Sequence, residues 1–150
     1  MSLSQAEIAT LLEWLAPLGF EGPKLEKDRA NQTFCWLGKD IGVELELDAR
    51  EEGMFLLLVR LENGELPDGY YVAHGMPCRV HVENAIRTLG LDVDVEALDR
   101  VRGLNRTRRR SPSHWIDMAR AYSDLLRSCI GQILSEGSRI FQSPKNKGAE

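Results

Sequence analysis

The sequence lacks a disulfide framework, because it holds only three cysteines in 150 residues: Cys35, Cys78 and Cys129. An odd number of widely spaced cysteines inside apolar segments is typical of packed thiols in a reducing compartment. The longest apolar run, residues 54–59, is far shorter than the roughly 20 residues that cross a bilayer. The N-terminal stretch has no early positive charge and is not typical of a signal peptide. We therefore expect a cytoplasmic protein with no membrane partner.

The sequence also lacks the motifs of common catalytic and cofactor sites. It contains no GxSxG nucleophile motif and no nucleotide-binding glycine fingerprint, since its glycines are scattered at turn positions. His74, Cys78 and His81 are candidate zinc ligands, but their spacing matches none of the standard zinc patterns. Residues 92–97 resemble the start of a calcium loop, yet Ala97 occupies the position that requires glycine. The sequence predicts no metal, no cofactor and no catalytic activity.

The net charge of −4 is small, but it is unevenly distributed. Residues 1–99 hold 19 acidic and 8 basic side chains, whereas residues 100–150 hold 4 and 11. This asymmetry favours contact between the two halves or with a charged partner. The arginines between residues 100 and 110 form a solvated loop, pack on the acidic half, or contact an acidic protein or subunit. Nucleic acid is a less favoured ligand, because the whole chain is acidic and no aromatic residues interleave with the arginines.

The periodicity of apolar residues predicts an N-terminal helix followed by strands. Ser4 and Glu7 form a capping box for a helix over Gln5–Ala16, which Pro17 and Gly19 end. Residues 21–31 are polar and predict a loop. A period of two then predicts strands over residues 32–38 and 41–49, and an apolar run predicts a buried central strand over residues 54–62.

The second half of the chain is predicted to be mainly helical. Residues 70–73 are a candidate short strand, and residues 78–89 favour a helix ending at Gly90, although a strand at 78–82 is an alternative. A short helix follows over Val95–Arg102, capped by Asp94 and ended near Gly103, and then a basic loop. Ser113 begins the longest helix, which has an apolar stripe from Trp115 to Ile133.

These elements predict a single α+β domain over residues 1–136, followed by a frayed tail over 137–150. The fold class is a twisted antiparallel sheet of three to five strands, packed with an N-terminal helix, a middle helix and a long C-terminal helix. The sheet has a candidate partner-binding surface. On the second predicted strand, Ile41, Val43, Leu45 and Leu47 are expected to pack inward. Glu44, Glu46 and Asp48 are expected to face solvent.

Aromatic residues and arginines complete the candidate binding site. Phe34 and Trp36 lie on the opposite face of their strand from Thr33, Cys35 and Leu37. One face is core, and the other is an exposed apolar patch that anchors a partner, unless a second layer covers both faces. If Phe34 and Trp36 form the exposed patch, Trp36→Ala is expected to weaken partner binding without unfolding the protein. The predicted partner-binding residues are Phe34, Trp36, Glu44, Glu46, Arg106, Arg108, Arg109 and Arg110.

The order of elements resembles the class I type III secretion chaperones, the Tir-chaperone-like family of small acidic bacterial proteins. The resemblance spans about residues 5–62 and 114–136. It is carried by a capped helix ending LAPLGF, the hairpin FCWLGKDIGVELELDAREEGMFLLLVRL, a middle helical segment and a long C-terminal helix. It implies a homodimer that binds the unfolded N-terminal segment of a secreted effector, without catalysis, metal or nucleotide.

The resemblance has one departure and leaves two alternatives. The family has two further strands between its middle and last helices, whereas residues 93–113 predict a helix and a basic loop. One alternative is an immunity protein that neutralises a bacterial toxin, which is also a small acidic α+β binding protein. The other is a nucleic-acid-binding regulator that uses the arginine-rich loop.

The predicted apolar surface leads to a first testable expectation, a homodimer. Residues 54–59 and the stripe from Trp115 to Ile133 offer more apolar surface than one small sheet is expected to cover. Multi-angle light scattering at micromolar concentration should therefore give twice the mass of the 16.9 kDa chain. A stable monomer would contradict the expectation and favour the immunity hypothesis.

Overall fold

The computed structural model describes residues 3–29, 31–108 and 110–142 and confirms the α+β class. The strands β1 Glu21–Asp28, β2 Asn31–Leu37, β3 Ile41–Asp48 and β4 Gly53–Arg60 form an antiparallel meander of consecutive hairpins. After a long connection, β7 Arg79–His81 pairs with β4, so the order in the sheet is β1-β2-β3-β4-β7. Within that connection, β5 Val72–Ala73 and β6 Met76–Pro77 pair as a separate small hairpin.

The helices begin and end at recognisable capping residues. They are α1 Gln5–Leu11, α2 Val82–Leu89, α3 Val95–Arg106 and α4 His114–Glu136, with 3₁₀ helices over Glu13–Leu18 and Gly137–Phe141. The Ser4 hydroxyl accepts the Glu7 backbone N–H, and the Asp94 carboxylate accepts that of Ala97. Gly90 takes the left-handed conformation predicted for the end of α2. The long predicted C-terminal helix is confirmed as α4.

The first predicted helix is too long, and one predicted loop is wrong. The α-helix ends at Leu11, and a 3₁₀ helix follows over Glu13–Leu18. Pro17 lies inside that 3₁₀ helix, where its missing N–H and its restriction of the preceding residue oppose the predicted α conformation up to Ala16. The predicted loop over residues 21–31 is instead mostly the edge strand β1. Most of its side chains are exposed, so it lacks the apolar alternation by which half-buried strands are recognised.

Three further boundaries differ from prediction. Residues 78–89 contain both of the alternatives, since β7 runs directly into α2 at Val82. Helix α3 continues through Gly103 to Arg106. Ile140 and Phe141, placed in the frayed tail by the sequence, are buried in the core, so the packed domain extends beyond residue 136. Residues 143–150 of the predicted tail lie outside the described residues.

One face of the sheet packs against a helical layer, in which α3 lies against α4. The β2–β3–β4 register aligns Phe34 with Leu45 and Leu56, and Trp36 with Val43 and Leu58. These side chains join the main hydrophobic cluster with the apolar stripe of α4. We call this the inner face of the sheet. The predicted inward orientation of Ile41, Val43, Leu45 and Leu47 is confirmed.

The opposite, outer face is covered along β4 by the connection between β4 and β7. Leu57 and Val59 point away from the helices and are nevertheless fully buried. We call residues 61–78 the covering segment, because Leu61, Ala73 and Cys78 are buried with these two side chains outside the main cluster. The apolar surface from which a homodimer was predicted is thus covered within one chain. The homodimer stays a prediction, but the apolar surface of residues 54–59 and α4 no longer supports it.

The burial of Trp36 reverses the expected effect of its substitution. Trp36 is only 2% exposed and belongs to the main cluster, so we now expect Trp36→Ala to lower the free energy of unfolding by about 3–5 kcal/mol. Leu18→Ala is the control, because Leu18 is 46% exposed and should change stability by less than about 1 kcal/mol. Urea unfolding followed by far-UV circular dichroism measures both. Equal stability of the two variants would contradict the packing described here.

Candidate protein-binding surface

The guanidinium of Arg79 fixes the covering segment to the outer face of the sheet. Its Nε donates to Glu44 Oε1 at 2.7 Å and its Nη2 to Glu44 Oε2 at 3.3 Å. Its Nη1 donates to the carbonyls of Gly69 and Tyr70 at 2.9 and 2.8 Å. The guanidinium also lies 4.8 Å from the centre of the Tyr70 ring. One buried side chain therefore joins strand β3, strand β7 and the covering segment.

Burial and pairing have opposite effects on this arginine. Burial alone would lower the pKa of Arg79, but the hydrogen bonds and negative charge of Glu44 outweigh it and raise the pKa. Glu44, predicted to face solvent, is only 3% exposed. The prediction is wrong because it treated the polar face of β3 as uncovered, whereas the covering segment and Arg79 lie over it.

Arg60 holds the other end of the covering segment. Its side chain donates to the carbonyls of Pro77 and Ala73 at 3.1 and 3.2 Å and pairs with Glu62 at 3.6 Å. Its backbone N–H donates to the carbonyl of Cys78 at 2.8 Å. Arg60 and Arg79 thus satisfy the carbonyls of a segment that contains only four residues of strand.

The segment held in this way presents apolar side chains to solvent. Tyr70, Tyr71, Val72 and Met76 are between 45 and 57% exposed, and we call them the tyrosine surface. The rings of Tyr70 and Tyr71 meet edge to face at 4.6 Å. Tyrosine and methionine are enriched at protein interfaces, and tyrosine is frequent among residues that dominate binding energy.

The backbone of this segment allows little alternative packing. A Cβ added to Gly69 would fall on the carbonyl oxygen of Val72. The Cys78 thiol donates to the carbonyl of Tyr70 at 3.1 Å, and the Cys78 N–H donates to that of Tyr71 at 2.7 Å. The tyrosine surface is therefore preorganised, which reduces the conformational entropy lost on binding.

Half-buried aromatic residues and acids of the sheet continue this surface. The Tyr71 hydroxyl lies 3.3 Å from His81 Nε2, and the Phe55 ring meets that of His81 at 5.6 Å. The Tyr70 hydroxyl donates to Glu46 Oε2 at 2.6 Å. Burial, together with this bond to a carboxylate, raises the pKa of Tyr70 and keeps the phenol protonated. Glu46, which the sequence analysis named as a partner-binding residue, thus lies beside the tyrosine surface.

Phe34 and Trp36 do not belong to it. Both are buried on the inner face, so the predicted exposed aromatic patch is absent. Strand alternation placed the two rings correctly on one face but could not show that helices cover that face. The alternative left open by the sequence, in which both faces of β2 are covered, is confirmed near Cys35, whose thiol is also buried.

The predicted arginine residues that the structure describes, Arg106, Arg108 and Arg110, have their contacts away from the tyrosine surface. Arg106 ends α3 and is exposed, as is Arg108 in the loop after it, whereas Arg109 lies outside the described residues. Arg110 lies 4.8 Å from the Trp115 ring centre and 3.9 Å from Glu52 at the β3–β4 turn. The structure therefore separates Arg106 and Arg108 from Glu46 and brings only Arg110 near an acidic turn.

Sequence reasoning missed Tyr70, Tyr71, Val72 and Met76. Residues 70–73 were interpreted as a short strand, which predicts packing and not exposure. Only Val72–Ala73 form a strand, and that strand pairs with β6 outside the main sheet. A signal existed in the sequence, because four apolar residues lie within a segment rich in turn-forming residues.

The candidate zinc ligands His74, Cys78 and His81 each contact protein groups separately and do not converge on one point. His74 is exposed and lies 3.3 Å from Glu62, His81 contacts Tyr71, and the Cys78 thiol donates to the covering segment. Within residues 3–29, 31–108 and 110–142, no three His, Cys, Asp or Glu side chains are placed to hold a metal ion. Burial raises the thiol pKa of Cys35 to about 12 and that of Cys129 to about 11, so neither is a thiolate at neutral pH.

No helix among the described residues is both long and apolar enough to cross a membrane. Comparison of the chain with family models, curated proteins and solved structures gave no significant match.

The Arg79 contacts predict which substitution should release the covering segment. Arg79→Met leaves the buried Glu44 carboxylate and two carbonyls without their donor and is expected to lower the free energy of unfolding by about 3–5 kcal/mol. Arg87→Met is the control, because Arg87 is exposed on α2 and bonds only Asn84 at 2.9 Å. Urea unfolding of the two variants measures the difference. A loss below about 1 kcal/mol for Arg79→Met would contradict the anchoring role.

Proposed function

We propose that this chain is a non-catalytic protein-binding module whose partner docks on the tyrosine surface. The observation that carries the proposal is the exposure of Tyr70, Tyr71, Val72 and Met76 on a segment held by two arginines. Single exposed apolar side chains, such as Val95, are common in folded proteins, whereas four that lie together mark an interaction surface. A partner that buries these side chains gains apolar contact, and little conformational entropy is lost because the surface is already ordered.

The geometry supports a folded partner, as in the immunity hypothesis. The tyrosine surface is a rigid, discontinuous set of side chains from β5, β6 and the preceding turn, and such sets complement the surface of a folded protein. The acids beside it also suit a folded partner with a polar rim around its apolar contact.

The chaperone hypothesis has weaker support from the sheet. Binding of an unfolded segment by strand addition needs a free sheet edge. The edge strand β1 carries mainly charged side chains, has an irregularity in its pairing between Glu21 and Lys24, and contains Pro23, whose carbonyl accepts the Gln5 side chain at 3.0 Å. These features are typical of edges that resist further pairing. Residues 95–106 are helix α3, where the resemblance implies additional strands.

A retention experiment with matched variants tests the proposal. The tagged chain is incubated with native-host lysate, and retained proteins are quantified by mass spectrometry for wild type, Tyr71→Ala/Val72→Ser and Val95→Ser. Val95 is the control, because it is 64% exposed on α3, outside the tyrosine surface. We expect a partner retained by wild type and Val95→Ser, with at least about tenfold weaker retention by the double variant, since interface aromatics contribute about 2 kcal/mol.

Two outcomes would change the conclusion. If the three proteins retain the same partner equally and have equal melting temperatures, the tyrosine surface does not bind it. If an isolated N-terminal segment of the partner binds as tightly as the whole partner, the chaperone hypothesis explains the protein better than the immunity hypothesis. The segment and the whole partner are compared by calorimetric titration.

A further inference from the structure

The side chains around the tyrosine surface are predominantly acidic. The β1–β2–β3–β4 register aligns Glu26, Thr33, Glu46 and Phe55 across the outer face. Asp48 follows Glu46 at the next outward position of β3 and is half-buried. Glu65 and Asp68, in the turn before Tyr70, are exposed. The apolar side chains thus lie between carboxylates of the sheet and carboxylates of the covering segment.

These carboxylates differ from Glu44 in their pairing. Among the described residues, no basic group lies within 4 Å of the carboxylates of Glu26, Glu46, Glu65 or Asp68. The Tyr70 hydroxyl satisfies one oxygen of Glu46 without neutralising its charge. After burial, Glu44 and Glu26 raise the pKa of the Cys35 thiol, whereas Arg79 and Lys24 lower it. Lys24, which is aligned with Cys35, is therefore a basic side chain beside the acids of the outer face.

A partner that covers the tyrosine surface also removes water from these acids. An apolar or acidic partner would leave carboxylates desolvated and unpaired, which opposes binding. A guanidinium or ammonium group satisfies them, and it also interacts favourably with the face of a tyrosine ring. The chain contains this combination already, since Arg79 pairs with Glu44 and lies 4.8 Å from the Tyr70 ring centre.

We propose that the partner is a basic protein that places arginine or lysine side chains between the exposed tyrosines and the row formed by Glu26 and Glu46. This inference rests on the proposed function and adds the chemistry of the partner. The charge distribution of the chain supports it, because the exposed arginines Arg100, Arg102 and Arg106 lie on α3, in the helical layer. A basic partner that docks on the outer face therefore keeps clear of these arginines.

Peptides of defined charge test the inference without a known partner. The probes are octapeptides of alternating glycine with arginine, glutamine or glutamate, titrated into the ¹⁵N-labelled whole chain. We expect the arginine peptide to shift the amide signals of Glu46, Phe55, Tyr70 and Tyr71, with affinity that falls as salt is raised. The glutamine and glutamate peptides should shift these signals little. Equal binding of the glutamine peptide, or arginine-peptide shifts elsewhere only, overturns the inference.

Charge-neutralising variants make the test specific. Glu26→Gln and Glu46→Gln should each lower the affinity for the arginine peptide by about two- to fivefold, because an exposed ion pair contributes little binding free energy. Glutamine at position 46 still accepts the Tyr70 hydrogen bond. Glu13→Gln is the control, since Glu13 is exposed in the 3₁₀ helix after α1. Equal weakening by the control, or no weakening by the two variants, counts against the inference.

Failure of this inference is distinguishable from failure of the proposed function. If Tyr71→Ala/Val72→Ser loses the retained partner while Glu26→Gln/Glu46→Gln keeps it at every salt concentration, the surface binds a protein but not a basic one. If shifts at Tyr70 and Tyr71 appear on raising the concentration of the chain alone, a second copy occupies the surface, and the inference is overturned.

Discussion

The buried ion pair between Arg79 and Glu44 is the interaction on which the outer face and its covering segment depend. The donors of the guanidinium are divided between a carboxylate of β3 and two carbonyls of the covering segment. Without it, Glu44 would be a buried unpaired charge, and the segment that shields Leu57 and Val59 would keep only its other links to the sheet, such as those of Arg60. The same contacts place the Tyr70 ring over the guanidinium, so one ion pair both closes the core and orients the exposed tyrosines.

The two faces of the sheet are covered by different physical means. Helices cover the inner face through apolar packing, which is distributed over many side chains and tolerates small adjustments. A segment with little regular structure covers the outer face, and its backbone groups need specific donors because it has few ladder hydrogen bonds. Arg60 and Arg79 supply these donors. Specific polar anchoring is what allows an irregular segment to present side chains in a fixed arrangement.

The charge asymmetry of the sequence becomes a spatial asymmetry in the fold. Several acids of the first half, including Glu26 and Glu46, lie on the outer face, whereas the arginines of α3 belong to the helical layer. Among the described residues, the 3.9 Å approach of Arg110 to Glu52 is an example of contact between the two halves. The outer face thus combines carboxylates that have no basic group within 4 Å with exposed aromatic rings, and the inferred chemistry of the partner depends on this combination.

The part of the fold that follows from local patterns could be predicted from the sequence. The alternation of Ile41, Val43, Leu45 and Leu47 identified the inward side of β3, and the stripe along α4 identified its buried side. The capping residues Ser4 and Asp94 and the terminating Gly90 were found because their interactions are local. The edge strand β1 was missed because an exposed strand carries no apolar period.

Most of the candidate site could not be predicted, because it depends on contacts between distant parts of the chain. Alternation fixed which side chains of β2 and β3 share a face, but burial of Phe34, Trp36 and Glu44 depends on what covers each face. The pairing of Glu44 with Arg79 joins residues 35 positions apart. The sequence by itself determined the elements, their amphipathic sides and the charge asymmetry, since each depends on neighbouring residues. Only the tertiary structure decided that Tyr70 and Tyr71 are exposed beside Glu46, because that arrangement requires the covering segment to fold back onto the sheet.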